Sequence, residues 1–335
     1  MKNLITGATG FIGSHIAERL IKDGEEVTAL VRKTSNVDFL KSIGAKLAYG
    51  DINDMGSVRN AMKGMDTVYH SAALADEWIS YEEAYRVNVE GTKNLLECAR
   101  EAGIKRFVFI SSLAVLGLRD HFGTRADAPC RKSGDSYIDT KIDAEQLVMK
   151  YYKEYGLAVT IVRPGFVFGP RDYKLMPRIS EKLRSRKVML IGTGKTMINA
   201  VYIENLTDAI ILAARSDKAV GQKYNVTNDS RMTIEDFISM AADVWGLEKP
   251  KKYVPRFIAS LSCNLLTGLF RLIRSKNPPP VTKTHIKFLA FNLDFDIMKT
   301  KEDLGYSPRI SIKEGLEKTR AWQDACLPAG REKKG

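Results

Sequence analysis

The sequence predicts a doubly wound α/β fold. Short apolar strands alternate with amphipathic helices through its first half, a glycine-rich turn follows the first strand, and the composition is ordinary for a globular chain. Of 335 residues, 44% are hydrophobic and 27% charged, enough to bury a sizeable core and free of the bias that marks disordered or repetitive chains. Residues 2–6 read as a strand, 11–22 as a helix closed at Gly24, and 26–31 as a second strand. Short apolar runs at 46–48 and 67–70 flank a helical pattern around 57–63. A long helical pattern over 82–101 ends at Gly103 and leads into a strand at 106–110. A further helix over 137–155 passes through Gly156 to a strand at 158–162. Strands separated by helices of this length need right-handed crossovers, which build a parallel sheet covered on both faces. After Pro164 the rhythm breaks into short helical patterns (175–186, 204–215, 233–245) and isolated strands. We therefore expect a dinucleotide-binding domain over 1–165, a smaller, mostly helical substrate lobe over 166–328 partly interleaved with the sheet, and a tail over 329–335.

Charge and cysteines narrow the classes of partner. The net charge is +12, but residues 249–293 hold nine Lys or Arg and no Asp or Glu, so the rest carries only +3. No nucleic-acid-binding signature accompanies the charge, and none is expected to bind. Within that basic stretch, residues 257–270 are uncharged, with apolar residues at 258, 261, 265 and 269, and again at 272 just beyond the run. This spacing is an amphipathic helix with basic ends, and it points to peripheral membrane contact through residues 253–276. Cys98, Cys130, Cys263 and Cys326 lie far apart, without the spacing of a metal ribbon or disulfide framework. A cytoplasmic, reducing location is expected, with no signal peptide and no apolar run of 18 residues. His15, His70, His121 and His285 are scattered, so no metal site is expected.

The run Thr6-Gly7-Ala8-Thr9-Gly10-Phe11-Ile12-Gly13 joins the first strand to the first helix. Glycines at this spacing allow a tight turn, close approach of the backbone to a pyrophosphate, and packing of helix on strand. The helix amino terminus then faces the phosphates. Dinucleotide binding follows, with Gly7, Thr9, Gly10, Phe11, Ile12 and Gly13 as the loop contacts. An NAD site wants an acid at the end of the second strand. This chain has Arg32 and Lys33 there, suited to a 2′-phosphate, so NADP is favoured over NAD. Asp51, after the third strand, is placed to reach the adenine amino group, with Ile52 beside it.

Ser111-Ser112 ends the strand at 106–110, on the sheet edge where ligands bind in such folds. Tyr137 and Lys141 lie one helical turn apart. A phenol with a pKa of about 10 becomes useful at neutral pH only when a neighbouring cation stabilises its ionised form. In this reading Ser112 bonds the substrate oxygen, Tyr137 transfers a proton, and Lys141 tunes Tyr137 and holds the cofactor ribose.

On these residues the chain resembles the extended short-chain dehydrogenase/reductases, the NAD-dependent epimerase/dehydratase superfamily. Its TGxxGxxG stands at residues 6–13, SSxxVxG at 111–117 and YxxxK at 137–141. Further matches are His70-Ser71-Ala72-Ala73, Asn88-Val89-Glu90-Gly91-Thr92 and Arg163-Pro164-Gly165-Phe166-Val167-Phe168-Gly169-Pro170. The resemblance implies a Rossmann-type sheet and cofactor contacts from Ala72, Ala73, Pro164 and Val167. It also implies a homodimer formed through the helices at 82–101 and 137–155. Within the superfamily the chain is similar to the 3β-hydroxysteroid dehydrogenase and sterol-4α-carboxylate 3-dehydrogenase branch, through Ala200-Val201-Tyr202-Ile203-Glu204-Asn205, Tyr224-Asn225-Val226-Thr227-Asn228-Asp229 and Leu304-Gly305-Tyr306-Ser307-Pro308. This implies an oxidoreductase interconverting a secondary alcohol and a ketone on a hydrophobic, sterol-, isoprenoid- or lipid-like substrate. The alternative is an NDP-sugar 4-epimerase or dehydratase using the same triad with retained cofactor. Leu116, where epimerases carry Tyr, and the apolar Phe257, Ile258, Leu261, Leu265, Leu266, Leu269, Phe270, Leu272 and Ile273 of the second lobe speak for the hydrophobic ligand.

Overall fold

A computed structural model describes residues 1–75, 78–273 and 282–326. The Pro278-Pro279-Pro280 run, residues 274–276 of the basic segment and the tail from 329 lie outside the described residues. Seven strands form the central sheet: β1 (Lys2–Thr6), β2 (Glu26–Val31), β3 (Lys46–Tyr49), β4 (Thr67–His70), β5 (Arg106–Ile110), β6 (Val159–Pro164) and β7 (Lys223–Val226). They lie in the order β7-β6-β5-β4-β1-β2-β3, and every pairing is parallel. This is the Rossmann-type doubly wound sheet that the strand–helix alternation predicts. Thr6 pairs with His70, His70 with Phe109 and Ile110 with Val162, so the carboxyl ends of β1, β4, β5 and β6 form one edge. The strand order reverses between β1 and β4, opening the crevice where such sheets take ligands.

Period-two alternation divides the core. Ile5, Val108 and Ile110 face a layer containing Ile16, Ala17 and Leu20 of helix Phe11–Lys22, together with Leu206, Ile210 and Ala213 of helix Ile203–Arg215. Leu4, Phe107 and Phe109 face the opposite layer, with Leu95 and Leu96 of helix Gly91–Glu101 and Ala144 and Val148 of helix Ser136–Tyr155. The second half adds three two-stranded parallel pairs outside the main sheet. The pair His121–Thr124 with Leu293–Phe295 brings the chain's last third back against the turn after β5, and Asn225 of β7 donates to the Thr124 and Asp296 carbonyls.

Two expectations need correction. The pattern over 82–101 is not one regular helix: Tyr81–Tyr85 is α-helical, Arg86–Glu90 makes a π turn, and Gly91–Glu101 resumes the α-helix. A π turn adds a residue without changing the composition, so periodicity does not reveal it. It presents Asn88 to the loop after β4. The second correction concerns helix Arg256–Leu272, whose small residues Cys263 and Thr267 are buried while its large apolar residues face out. The stripe that suggested a ligand-facing wall is on the surface. Only Phe270 of the nine is half-buried.

Candidate active site

The glycine loop is built so that nothing but glycine fits at its two ends. Gly7 has φ +71°, and a Cβ there would lie 2.6 Å from the Ala72 nitrogen; a Cβ on Gly13 would lie 2.3 Å from the Gly7 carbonyl. Gly10 donates its N–H to the Gly7 carbonyl at 2.9 Å and begins helix Phe11–Lys22 without any side-chain cap. The first N–H groups of that helix are left for an incoming acceptor, and Thr9 and Gly10 are exposed at its mouth. A tight cradle with uncapped donors fits a pyrophosphate. Ala72 and Ala73, just past β4, are half-buried beside it. Arg32 and Lys33 are exposed at the end of β2. Asp51 uses one carboxylate oxygen for the Asn53 backbone and side-chain amides, at 2.9 and 3.1 Å, and Ile52 packs against Gly91. Pro164 ends β6, and Val167 lies in the next short strand.

The three predicted catalytic residues converge on the same edge. Ser112 follows β5 and caps the short turn Leu113–Leu116, its Oγ accepting the Ala114 N–H at 3.2 Å. Tyr137 stands in the first turn of helix Ser136–Tyr155, fixed by the Asp135 cap, which accepts the Ile138 N–H at 3.1 Å. Burial pushes the Tyr137 phenol up to about 12, the Asp135 charge adds to this, and the adjacent Ser112 hydroxyl works the other way. Lys141, one turn on, is buried. Its Nζ donates to the Ile110 carbonyl at 2.7 Å and sits 4.4 Å from the centre of the Phe109 ring. Burial lowers its ammonium to about 7 against the supporting charge of Glu145.

Sequence reasoning did not see what holds these groups. Glu145, a further turn along the helix, is fully buried against Arg163 of β6 through two bonds, at 2.8 and 2.5 Å. Burial alone would raise the Glu145 carboxyl, but the hydrogen bond and charge of Arg163 hold it below the usual range. The pair fastens the helix of Tyr137 and Lys141 to the sheet. The spacing Lys141, Glu145 was the available signal: a second charged residue on an otherwise apolar helix face. His70 is also fully buried. The Thr92 hydroxyl donates to the Asn88 carbonyl at 2.6 Å, so it accepts from His70 Nε2 at 2.8 Å, leaving Nδ1 to accept from Thr6 at 2.7 Å. Burial, with the Lys141 charge nearby, lowers the imidazole to about 3. Asn88 accepts the Leu74 N–H at 2.7 Å and donates to Thr140 at 3.0 Å, tying the loop after β4 to the helix of Tyr137.

The surroundings of Tyr137 are apolar. Leu113, Val115, Leu116, Ile138, Leu293 and Phe295 form a buried cluster against which Tyr137, Phe288 and Phe291 pack. The latter two come from the last third of the chain and were not singled out from sequence, because the basic charge around them masked a second, inward apolar pattern. The Thr284 hydroxyl, on helix Lys283–Ala290, donates to the Asp135 carboxylate at 2.7 Å and anchors that segment at the start of the catalytic helix. Among the described residues, no cluster of His, Cys, Asp or Glu could hold a metal ion.

A glycine cradle at the switch point and a Ser, Tyr, Lys constellation on the same edge define a dinucleotide-dependent oxidoreductase of the extended short-chain type. The chain belongs to the NAD dependent epimerase/dehydratase family, which it matches over residues 3–227. It is 30% identical, over 94% of its length, to the 3beta-hydroxysteroid-dehydrogenase/decarboxylase isoform 2 of Arabidopsis thaliana, but spans only 61% of that relative. It is 29% identical to the 2-alkyl-3-oxoalkanoate reductase of Stenotrophomonas maltophilia, covering 96% of this chain and 99% of that one. The dTDP-glucose 4,6-dehydratase of Streptomyces venezuelae, solved with NAD bound, superposes with a TM-score of 0.79 at 25% identity, covering 97% of this chain.

Proposed function

We propose that the protein interconverts a secondary alcohol and a ketone on a hydrophobic, sterol- or acyl-like substrate, with NADP preferred over NAD. The observation that carries this reading is the apolar cluster of Leu116, Phe288, Phe291, Leu293 and Phe295 around Tyr137. A sugar diphosphate placed there would bury polar groups without partners, at about 1–3 kcal/mol each. An alkyl chain or fused ring system gains by the same burial. The names of the two relatives, one acting on a hydroxysteroid and one on an alkylated oxo acid, support the same class.

The bound nicotinamide supplies or accepts the hydride. Ser112 orients the substrate oxygen beside Tyr137. With its pKa raised to about 12, the phenol holds its proton at neutral pH and can give it to a carbonyl oxygen as negative charge develops there, which favours the reductive direction. Proton transfer leaves a phenolate on Tyr137; the Lys141 ammonium, held by the Ile110 carbonyl on the same helix face and lowered to about 7, stabilises that negative charge and can return a proton to it, becoming the neutral amine. Arg32 and Lys33 offer charge to a 2′-phosphate at the end of β2. In the test, purified protein is given NADPH with hydrophobic ketones. Tyr137→Phe should lower kcat by about 100-fold or more while leaving cofactor binding intact. Unchanged turnover in that variant would overturn the assignment of the proton donor.

A further inference from the structure

Helix Lys283–Ala290 carries two faces. Ile286 and Ala290 turn to the second lobe and are buried against Ile191 and against Cys263 of helix Arg256–Leu272. Thr284 and Phe288, one turn apart, and Phe291 just past the helix recur at helical spacing on the other side. Phe288 and Phe291 pack on the cluster of Leu116, Ile138 and Ile142, as Tyr137 does. The hydroxyl at the head of this apolar stripe has a charged partner: Thr284 donates to the Asp135 carboxylate at 2.7 Å.

Asp135 divides that carboxylate between two tasks. One oxygen accepts the Ile138 N–H at 3.1 Å and closes the turn that holds Tyr137, and the other accepts from Thr284. One side chain therefore fixes both the phenol and the first turn of helix Lys283–Ala290. The far end of the segment is held elsewhere. The Asn292 side chain accepts the Met197 N–H at 3.0 Å, and its backbone N–H donates to Asp120 at 2.7 Å. Its carbonyl accepts the His121 N–H at 2.7 Å, and the Thr196 hydroxyl donates to the Leu289 carbonyl at 3.2 Å. Between these two anchorages lie Phe288 and Phe291, so their register against Tyr137 depends on the bond at Thr284. A hydrogen bond to an ionised acceptor is short and strong, which suits it to setting such a register.

We propose that Thr284 is a positioning residue for the reaction, setting the apolar wall of Phe288 and Phe291 where a substrate's hydrocarbon meets Tyr137. This rests on the apolar-substrate reading above. The contribution is to holding the hydrocarbon and not to proton transfer, so it belongs in KM.

In the test, Thr284→Val keeps the side chain's shape and removes the donor, while Thr284→Ser keeps the donor. Wild type and both variants are given NADPH with 3-oxo acids of increasing alkyl length. In wild type kcat/KM should climb with chain length. In the valine variant the preference for the longest acid over the shortest should fall by about three- to tenfold, the worth of one hydrogen bond, and in KM more than in kcat. The serine variant should restore it. Retained NADPH binding would show that both variants are folded. An undiminished chain-length preference in the valine variant, or a serine variant as impaired as the valine one, would overturn the proposal. Amide hydrogen exchange separates its failure from that of the substrate reading. Should wild type reduce none of the acids, the substrate reading falls, and the proposal is judged on helix Lys283–Ala290. Its amides should exchange faster in the valine variant than in wild type or the serine variant, and equal exchange would overturn the proposal too.

Discussion

Replacing Lys141 by Met should make the protein more stable and inactive at once. The Lys141 ammonium lies in a site that holds its pKa at about 7 instead of 10.5, chiefly through burial. That interval corresponds to about 5 kcal/mol of disadvantage for the charged form in the folded state. The methionine removes this disadvantage and keeps much of the side chain's volume. It also leaves the Ile110 carbonyl without its 2.7 Å partner, a loss of about 1–3 kcal/mol. Near pH 6 the variant should therefore be more stable by roughly 2–4 kcal/mol. The sign of the pH dependence follows from the lowered folded-state pKa. Between about 7 and 10.5 the unfolded chain holds a proton that the folded protein has released, so wild-type stability rises with pH across this window. The variant lacks that rise, so the two stabilities should cross between about pH 8 and pH 10, above which wild type, keeping its bond to the Ile110 carbonyl, is the more stable. Urea unfolding of both proteins without cofactor, at about pH 6 and pH 9.5, measures the difference directly. Parallel pH profiles, or a variant less stable at pH 6, would refute the claim that Lys141 is kept charged at a cost in stability.

Three further outcomes are expected. Gly13→Ala places a methyl 2.3 Å from the Gly7 carbonyl, so nicotinamide binding measured by fluorescence should be lost and stability should fall by about 1–3 kcal/mol. Arg163→Met leaves Glu145 buried without its two-bond partner and should lower unfolding free energy by about 3–5 kcal/mol; because Glu145 can then take up a proton, the loss should shrink as pH falls through the carboxylate range. Arg32→Asp should weaken NADPH far more than NADH in titrations, whereas equal weakening of both would remove the argument for NADP.

The strand–helix alternation of a parallel sheet, the glycine loop and the pairing of Tyr137 with Lys141 one turn on were legible because each is local. A period-two run, a glycine triplet or an i, i+4 pair carries its own signature. What escaped depends on distant partners. Arg163 and Glu145 read separately as a strand-end cation and a helix charge, and only the crossing of β6 with helix Ser136–Tyr155 makes them a buried pair. Thr6, His70, Asn88 and Thr92 come from four elements and become a network only at the switch point. The helix Arg256–Leu272 was found from its period. Its period did not decide between a wall facing substrate and a face turned outward; Cys263 and Thr267 pack inward and the leucines are exposed. Phe288 and Phe291, not that stripe, pack beside Tyr137.

The central claim is that an apolar alcohol or ketone reacts at Tyr137. The most direct measurement follows the near-ultraviolet absorbance of reduced nicotinamide with two substrate panels. One holds 3-hydroxysteroids, 3-oxosteroids and 2-alkyl-3-oxo acids; the other holds UDP- and dTDP-sugars. The account predicts net cofactor oxidation or reduction with the apolar panel, abolished in Tyr137→Phe, and no conversion of the sugars. Conversion of a nucleotide sugar without net change in cofactor, and silence with the apolar panel, would contradict it.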